Sequence, residues 1–173
     1  MPVNAAIALI DRAGVICSRL AGWLFFTIGL MITYEVVARY VFNAPTIWAE
    51  EMSRFFQVWA VYLGAAYVLR YRHLIRITLL TDRVGSLGRR IAEAFSLFVI
   101  GAVCVVAIIW GIDIVAESVR LHRTTSTMLA VPQWTTEIAI PVGFGLLLLQ
   151  CLAELVRLAR ASDVDMGRIE EQL

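Results

Sequence analysis

Three carboxylates and two guanidiniums, those of Glu35, Glu50, Glu51, Arg39 and Arg54, fall within the stretch EVVARYVFNAPTIWAEEMSR, between long apolar runs. Acids beside arginines can form ion pairs, and an acid left out of such pairing can exchange a proton. Helical spacing favours pairing: Glu35 and Arg39 are i,i+4, Glu50 and Arg54 are i,i+4, and Glu51 and Arg54 are i,i+3. Such pairs contribute roughly 0.2–0.5 kcal/mol each on an exposed helix, whereas a lone charge at a bilayer centre costs about 2.5–3.5 kcal/mol on insertion scales. Pairing within a helix therefore cannot sustain deep burial, and contacts to another helix or another chain are expected. Other chemistry has no foothold. Cys17, Cys104 and Cys151 form no CxxC pair and read as small apolar packing residues. There is no HExxH, phosphate-binding glycine loop or serine elbow, so neither an enzyme nor a transport ATPase is expected.

The elements that hold these groups are membrane helices. Of the 173 residues, 60% are hydrophobic, too many for a water-soluble core of this size. Uncharged runs cover Leu20–Tyr34, Phe55–Leu69, Ala94–Ile112 and Ile138–Ala153, each close to the roughly 20 residues a spanning helix needs. The expectation is one all-α membrane domain over residues 1–173, with four transmembrane helices at about 14–39, 48–70, 91–115 and 134–157. The start MPVNAAIALIDR lacks the basic leading region and cleavage site of a secretory signal, so it is expected to remain on the mature protein.

All 15 basic residues are arginine. Eleven lie before the first span, between the second and third, or after the fourth, leaving Arg39, Arg54, Arg120 and Arg123 on the other side. The positive-inside rule then puts both termini in the cytoplasm and turns the Glu35–Arg54 stretch outward. His73 and His122 fall on opposite sides of such a membrane, which excludes a simple bis-histidine haem between them. Glu35, Glu51, Asp113, Glu117 and Glu137 all collect toward the outer face, a distribution suited to docking rather than to a proton relay at the midplane. The net charge of +1 offers no nucleic-acid patch.

Local signals refine this outline. Asn43, Ala44 and Pro45 break the first helix, and Thr46 is the expected N-cap of the second, with Glu50 and Glu51 near its positive end. Tyr40, Phe42 and Trp48 suit the membrane interface. Between Arg72 and Val84, arginines at 72, 76 and 83 share one helical face and Leu74, Ile77 and Val84 another; an amphipathic surface segment and an irregular loop both fit. Pro141, followed by Gly143 and Gly145, predicts a bend in the fourth span. Ser18 and Gly22, Ala60 and Gly64, and Ala107 and Gly111 are small pairs at the spacing that lets helices approach closely.

The stretch VVARYVFNAPTIWAEEMSRFFQVWAVYLGAA, the RHLIRI after it and the later VPQWTTEIAIPVGFGLLLL resemble the small membrane subunit of tripartite ATP-independent periplasmic (TRAP) transporters, the DctQ type. The likeness rests on an Arg-Tyr-x-Phe helix end, a Trp-x-Glu-Glu helix start, a Leu-Gly-Ala-Ala segment and the loop entry His73-Leu74-Ile75. It implies a subunit of the bacterial inner membrane that widens the fixed scaffold of a large, elevator-type membrane subunit. That subunit would hold the substrate and sodium sites, and a periplasmic binding protein would deliver small carboxylates. By the same resemblance Arg39, Trp48, Glu50, Glu51 and Arg54 shape the outer scaffold or docking face, and no cofactor or metal is expected in this chain. Thr78, where the family often has an acid, is given no role. Two rivals remain at this point: a stand-alone dimeric carrier exchanging protons at Glu35, and a membrane redox subunit.

Overall fold

A computed structural model describes residues 2–71, 86–125 and 130–160. The described residues form long helices: α1 over Pro2–Val41, α2 over Ile47–Arg70, α3 over Ser86–Arg120, a single turn α4 over Trp134–Glu137, and α5 over Ala139–Arg160. The amphipathic segment expected between Arg72 and Val84 lies outside the described residues. α1 packs most extensively on α2, α2 packs also on α5, and α5 carries α3, so the long helices stand in the order α1, α2, α5, α3. The start of α1, the end of α2, the start of α3 and the end of α5 lie together, giving an up-and-down bundle with two distinct ends. Asp11 marks one end and Trp48 the other.

Three helical segments are long and apolar enough to cross a membrane: Ala5–Val41, Arg90–Arg120 and Trp134–Arg160. α2 has the length, 24 residues or about 36 Å at 1.5 Å per residue, yet it is not among them. Arg54, Gln57, Tyr62, Tyr67 and Arg70 dilute its hydropathy below that of its neighbours. Its place between α1 and α5 supplies the reason, because a helix flanked by protein on two sides presents less of itself to lipid.

The interior is built from small side chains and the exterior from large ones. Ala21, Ala38, Ala49, Ala60, Ala66, Ala139 and Ala153 are buried, while Trp23, Phe26, Phe95, Phe98 and Trp110 stand exposed. This is the arrangement of a protein dissolved in hydrocarbon, where packing contacts rather than water exclusion hold helices together. Gly64 meets Ala21 across the α1–α2 seam, and a side chain added at Gly111 would press within 3.1 Å of Ile140 and 3.2 Å of Pro141 on α5. The tightest approach is α2 on α5: a Cβ at Gly143 would lie 2.5 Å from the Cβ of Tyr62, whose ring also packs 5.7 Å from that of Phe144. Of the expected small pairs, Ala60–Gly64 and Gly111 serve close contacts, whereas Gly22 faces open space. Between α3 and α5 the Cys151 thiol donates to the Leu97 carbonyl at 3.0 Å, beside buried Cys104.

The bend expected from Pro141 takes the form of an interruption. Proline clashes with the carbonyl four residues earlier, which here is that of Glu137, and α4 ends at Glu137 before α5 begins at Ala139. Pro141 thus sits in the first turn of α5, where its missing donor breaks no intrahelical bond. At the end of α3, His122 takes a left-handed conformation (φ 48°) while Arg123 N–H reaches the Ser118 carbonyl at 3.0 Å and His122 N–H the Val119 carbonyl at 3.3 Å. This is a Schellman cap with histidine in the position glycine usually holds.

Candidate docking surface

The short link between α1 and α2 sets out the Trp48 end. Asn43 turns the chain with a left-handed backbone (φ 48°), and Ala44 N–H returns to the Ala38 carbonyl at 3.0 Å. Asparagine accepts that conformation more readily than most residues. Thr46 occupies the N-cap position with extended backbone, but its buried hydroxyl makes no capping bond and has no partner among the described residues, contrary to the capping role expected of it. The ring of Trp48 lies 6.0 Å from that of Tyr34, holding the start of α2 to the end of α1.

The six residues singled out by sequence divide into an inward and an outward set. Glu35 is only 8% exposed and accepts from Arg39 Nη2 at 2.6 Å and Nε at 3.0 Å, a two-pronged pair closed within α1. Glu51 turns toward the bundle and accepts from the Thr125 hydroxyl at 2.7 Å. Arg54 chooses Glu50, so the Glu51–Arg54 alternative is not taken up as a salt bridge among the described residues. Glu50, Arg54, Trp48 and Arg39 stand exposed, next to the exposed rings of Tyr40 and Phe42. Glu35–Arg39 and Glu50–Arg54 each close within one helix, and no hydrogen bond or ion pair joins the two pairs among the described residues.

The segment after α3 folds onto this end. Thr124 and Pro132 form an antiparallel bridge, Thr125 N–H meets the Val131 carbonyl at 2.9 Å, and Gln133 N–H meets the Arg123 carbonyl at 3.0 Å. Trp59 of α2 donates its indole N–H to the Thr135 carbonyl at 3.3 Å, and Arg123 pairs with Glu117 at 2.8 Å. His122 is consumed by the helix cap.

A second polar group, at the Asp11 end, went unseen in the sequence. Asp11 of α1, Arg70 of α2, and Gln150, Glu154 and Arg157 of α5 form one network. Arg157 bridges Asp11 and Glu154, the latter at 2.5 Å; Arg70 Nε lies 3.2 Å from Asp11 and 3.6 Å from Glu154. Gln150, 1% exposed, donates to both carboxylates at 3.2 Å. Two acids and two arginines cancel in charge. Arg90 of α3 adds a bond of 3.5 Å to the Leu158 carbonyl. A crevice of about 180 Å³ beside the network, between α1, α2 and α5, has Gln150 as its single polar lining residue and offers no cradle for an anionic substrate. The signal that could have revealed the network is Gln150 with Glu154 one turn later at the end of an apolar run, since polar groups in such runs need partners.

Residues 28–161 match the family described as tripartite ATP-independent periplasmic transporters, DctQ component. The chain belongs to this family. The DctQ match takes in the whole Trp48 end together with Gln150, Glu154 and Arg157, and stops short of Asp11. This DctQ component is also 28% identical, over 94% of its length, to the isethionate TRAP transporter permease protein DctMQ of Oleidesulfovibrio alaskensis, of which the match covers 28%. It is 29% identical over 76 residues to the sialic acid TRAP transporter permease protein SiaT of Haemophilus influenzae, covering 44% of this chain and 12% of the relative. The chain therefore spans under a third of either permease. The family is one of transporters, and the three long apolar helices make this DctQ component a membrane protein.

Proposed function

We propose that this chain is the small membrane subunit of a sodium-driven importer of small carboxylates in the bacterial inner membrane. It acts as a scaffold for a large, elevator-type membrane subunit and helps dock a periplasmic substrate-binding protein. In this reading α2 is a fourth span, shielded by α1 and α5, both termini face the cytoplasm, and the Trp48 end faces the periplasm. The arginine distribution supports that orientation. The observation that carries the reading is the exposed group of Arg39, Trp48, Glu50 and Arg54 at one end of a DctQ-family chain. Exposed aromatic and arginine side chains are the types that anchor protein interfaces.

The proton-carrier reading of Glu35 loses ground to the geometry, because contacts from Arg39 at 2.6 and 3.0 Å commit this carboxylate to an ion pair closed within α1. Sodium and substrate sites belong in the large subunit. The test is reconstitution: this chain alone in liposomes under an inward sodium gradient is expected to give no uptake. Addition of the large subunit and the binding protein is expected to restore it. Uptake by the lone chain would refute the scaffold role.

A further inference from the structure

We propose that the crevice between α1, α2 and α5 at the Asp11 end holds an acyl chain of an anionic phospholipid, whose phosphate rests on the guanidinium of Arg70. The inference rests on the orientation given above, with the Asp11 end at the cytoplasmic leaflet. The crevice, about 180 Å³, is lined by Leu9, Ala13 and Gly14 of α1, Ala66 of α2, and Leu149 and Gln150 of α5, among others. That is below the roughly 300 Å³ at which pockets for compact ligands begin, so its occupant is slender. Leu9 and Leu149 are 69% and 48% exposed, so the crevice opens onto the outside of the bundle. Leu149 belongs to the uncharged run Ile138–Ala153, which puts this opening at the level of lipid tails. Gln150 commits its amide nitrogen to Asp11 and Glu154, and the remaining walls suit an alkyl chain rather than water, which needs polar partners.

Charge beside the crevice selects the headgroup. Ala66 and Arg70 are one turn apart on α2, and Gln150 and Arg157 two turns apart on α5, so both guanidiniums follow the crevice on its cytoplasmic side. Their side chains are 36% and 27% exposed, within reach of a headgroup. Arg157 is taken up by Asp11 and Glu154. Arg70 approaches the same acids through Nε, and its two terminal nitrogens make no hydrogen bond among the described residues. A guanidinium with donors to spare suits a phosphate, which it can meet with two N–H groups at once. The network itself is neutral, yet arginines exceed acids around it, with Arg12, Arg19, Arg90 and Arg160 standing against Glu93. Such a surplus attracts anionic lipid to the cytoplasmic surface. An apolar side chain of a partner protein would fill the crevice equally well but would bring Arg70 no acceptor.

The experiment is lipid retention. The full chain, purified in mild detergent, is incubated with equal amounts of dioleoyl phosphatidylglycerol and dioleoyl phosphatidylcholine, washed, and its bound lipids are counted by mass spectrometry. Wild type is expected to keep phosphatidylglycerol about five-fold over phosphatidylcholine. Arg70→Gln should lose that preference, and Ala13→Leu, which fills the crevice, should lose the retained lipid. Equal retention of the two lipids by wild type would overturn the proposal, as would an undiminished preference in Arg70→Gln. Retention by Ala13→Leu equal to wild type would place the lipid elsewhere on the surface and overturn it too. If Ala13→Leu does not accumulate, Leu149→Phe is read by the same criterion. Loss of the phosphatidylglycerol when the large subunit is added would give the crevice to a protein side chain, against the proposal. Orientation is read separately: a membrane-impermeant thiol reagent outside spheroplasts should leave Ala5→Cys unlabelled, and labelling would defeat the orientation while lipid retention still judges the crevice.

Discussion

The two ends of the bundle solve the same electrostatic problem in opposite ways. At the Asp11 end, side chains from three helices share one neutral network in which Gln150 donates to both acids. At the Trp48 end, charges pair locally, Glu35 with Arg39, Glu50 with Arg54 and Glu117 with Arg123, all but Glu35 in the open, and buried oxygens of Thr46, Ser118 and Glu137 have no hydrogen-bond partner among the described residues. A network between helices fixes tertiary structure. Pairs within one helix fix only side-chain direction, and so leave their outer surface available. The contrast separates an end tied together across three helices from an end whose ion pairs stay local.

The sharpest way to break this contrast is Arg157→Leu. Removing the bridging guanidinium leaves Glu154, 7% exposed, with Arg70 at 3.6 Å and the neutral amide of Gln150 at 3.2 Å among the described residues, and is expected to lower stability by about 3 kcal/mol in detergent unfolding. A loss near zero would mean that the network is decoration. Gly143→Ala tests the joint between the ends. Its new Cβ meets the Cβ of Tyr62, an atom that cannot rotate away, and the expected cost is about 2 kcal/mol in the same assay. Arg54→Glu should do the reverse of Arg157→Leu: stability within about 0.5 kcal/mol of wild type, since the pair with Glu50 is exposed, but uptake by the assembled transporter reduced about five-fold. Uptake equal to wild type would remove Arg54 from the docking face. The smallest effect is expected of His122→Gly, which relieves a left-handed backbone at the helix cap and should raise stability by about 0.5–1 kcal/mol, read as a higher unfolding midpoint.

What could be read in the sequence was what short separations determine. Glu35–Arg39 and Glu50–Arg54 follow from one turn of helix, and the break at Asn43–Pro45 follows from residues that favour turns. What could not be read required the bundle. Arg157 and Asp11 are 146 residues apart, and no local spacing in the sequence names either as the other's partner. Glu51 had an arginine at good helical spacing, yet the folded-back segment after α3 supplied Thr125 instead. Thr46 has a capping residue's identity and backbone, but its hydroxyl is not used. Composition indicated four spans, and α2 misses the hydropathy of the others because its neighbours replace lipid. Pro141 was recognised as disruptive, but the consequence fell on Glu137, one turn earlier.

The partners of the Asp11 network also set an order of events. During synthesis α1 emerges first and α5 last, so Asp11 and Arg70 are already threaded before the chain offers Gln150, Glu154 and Arg157. A chain that ends between α2 and α5 holds Asp11 and Arg70 without Gln150, Glu154 or Arg157. The network at the Asp11 end is thus complete only once α5 has been made.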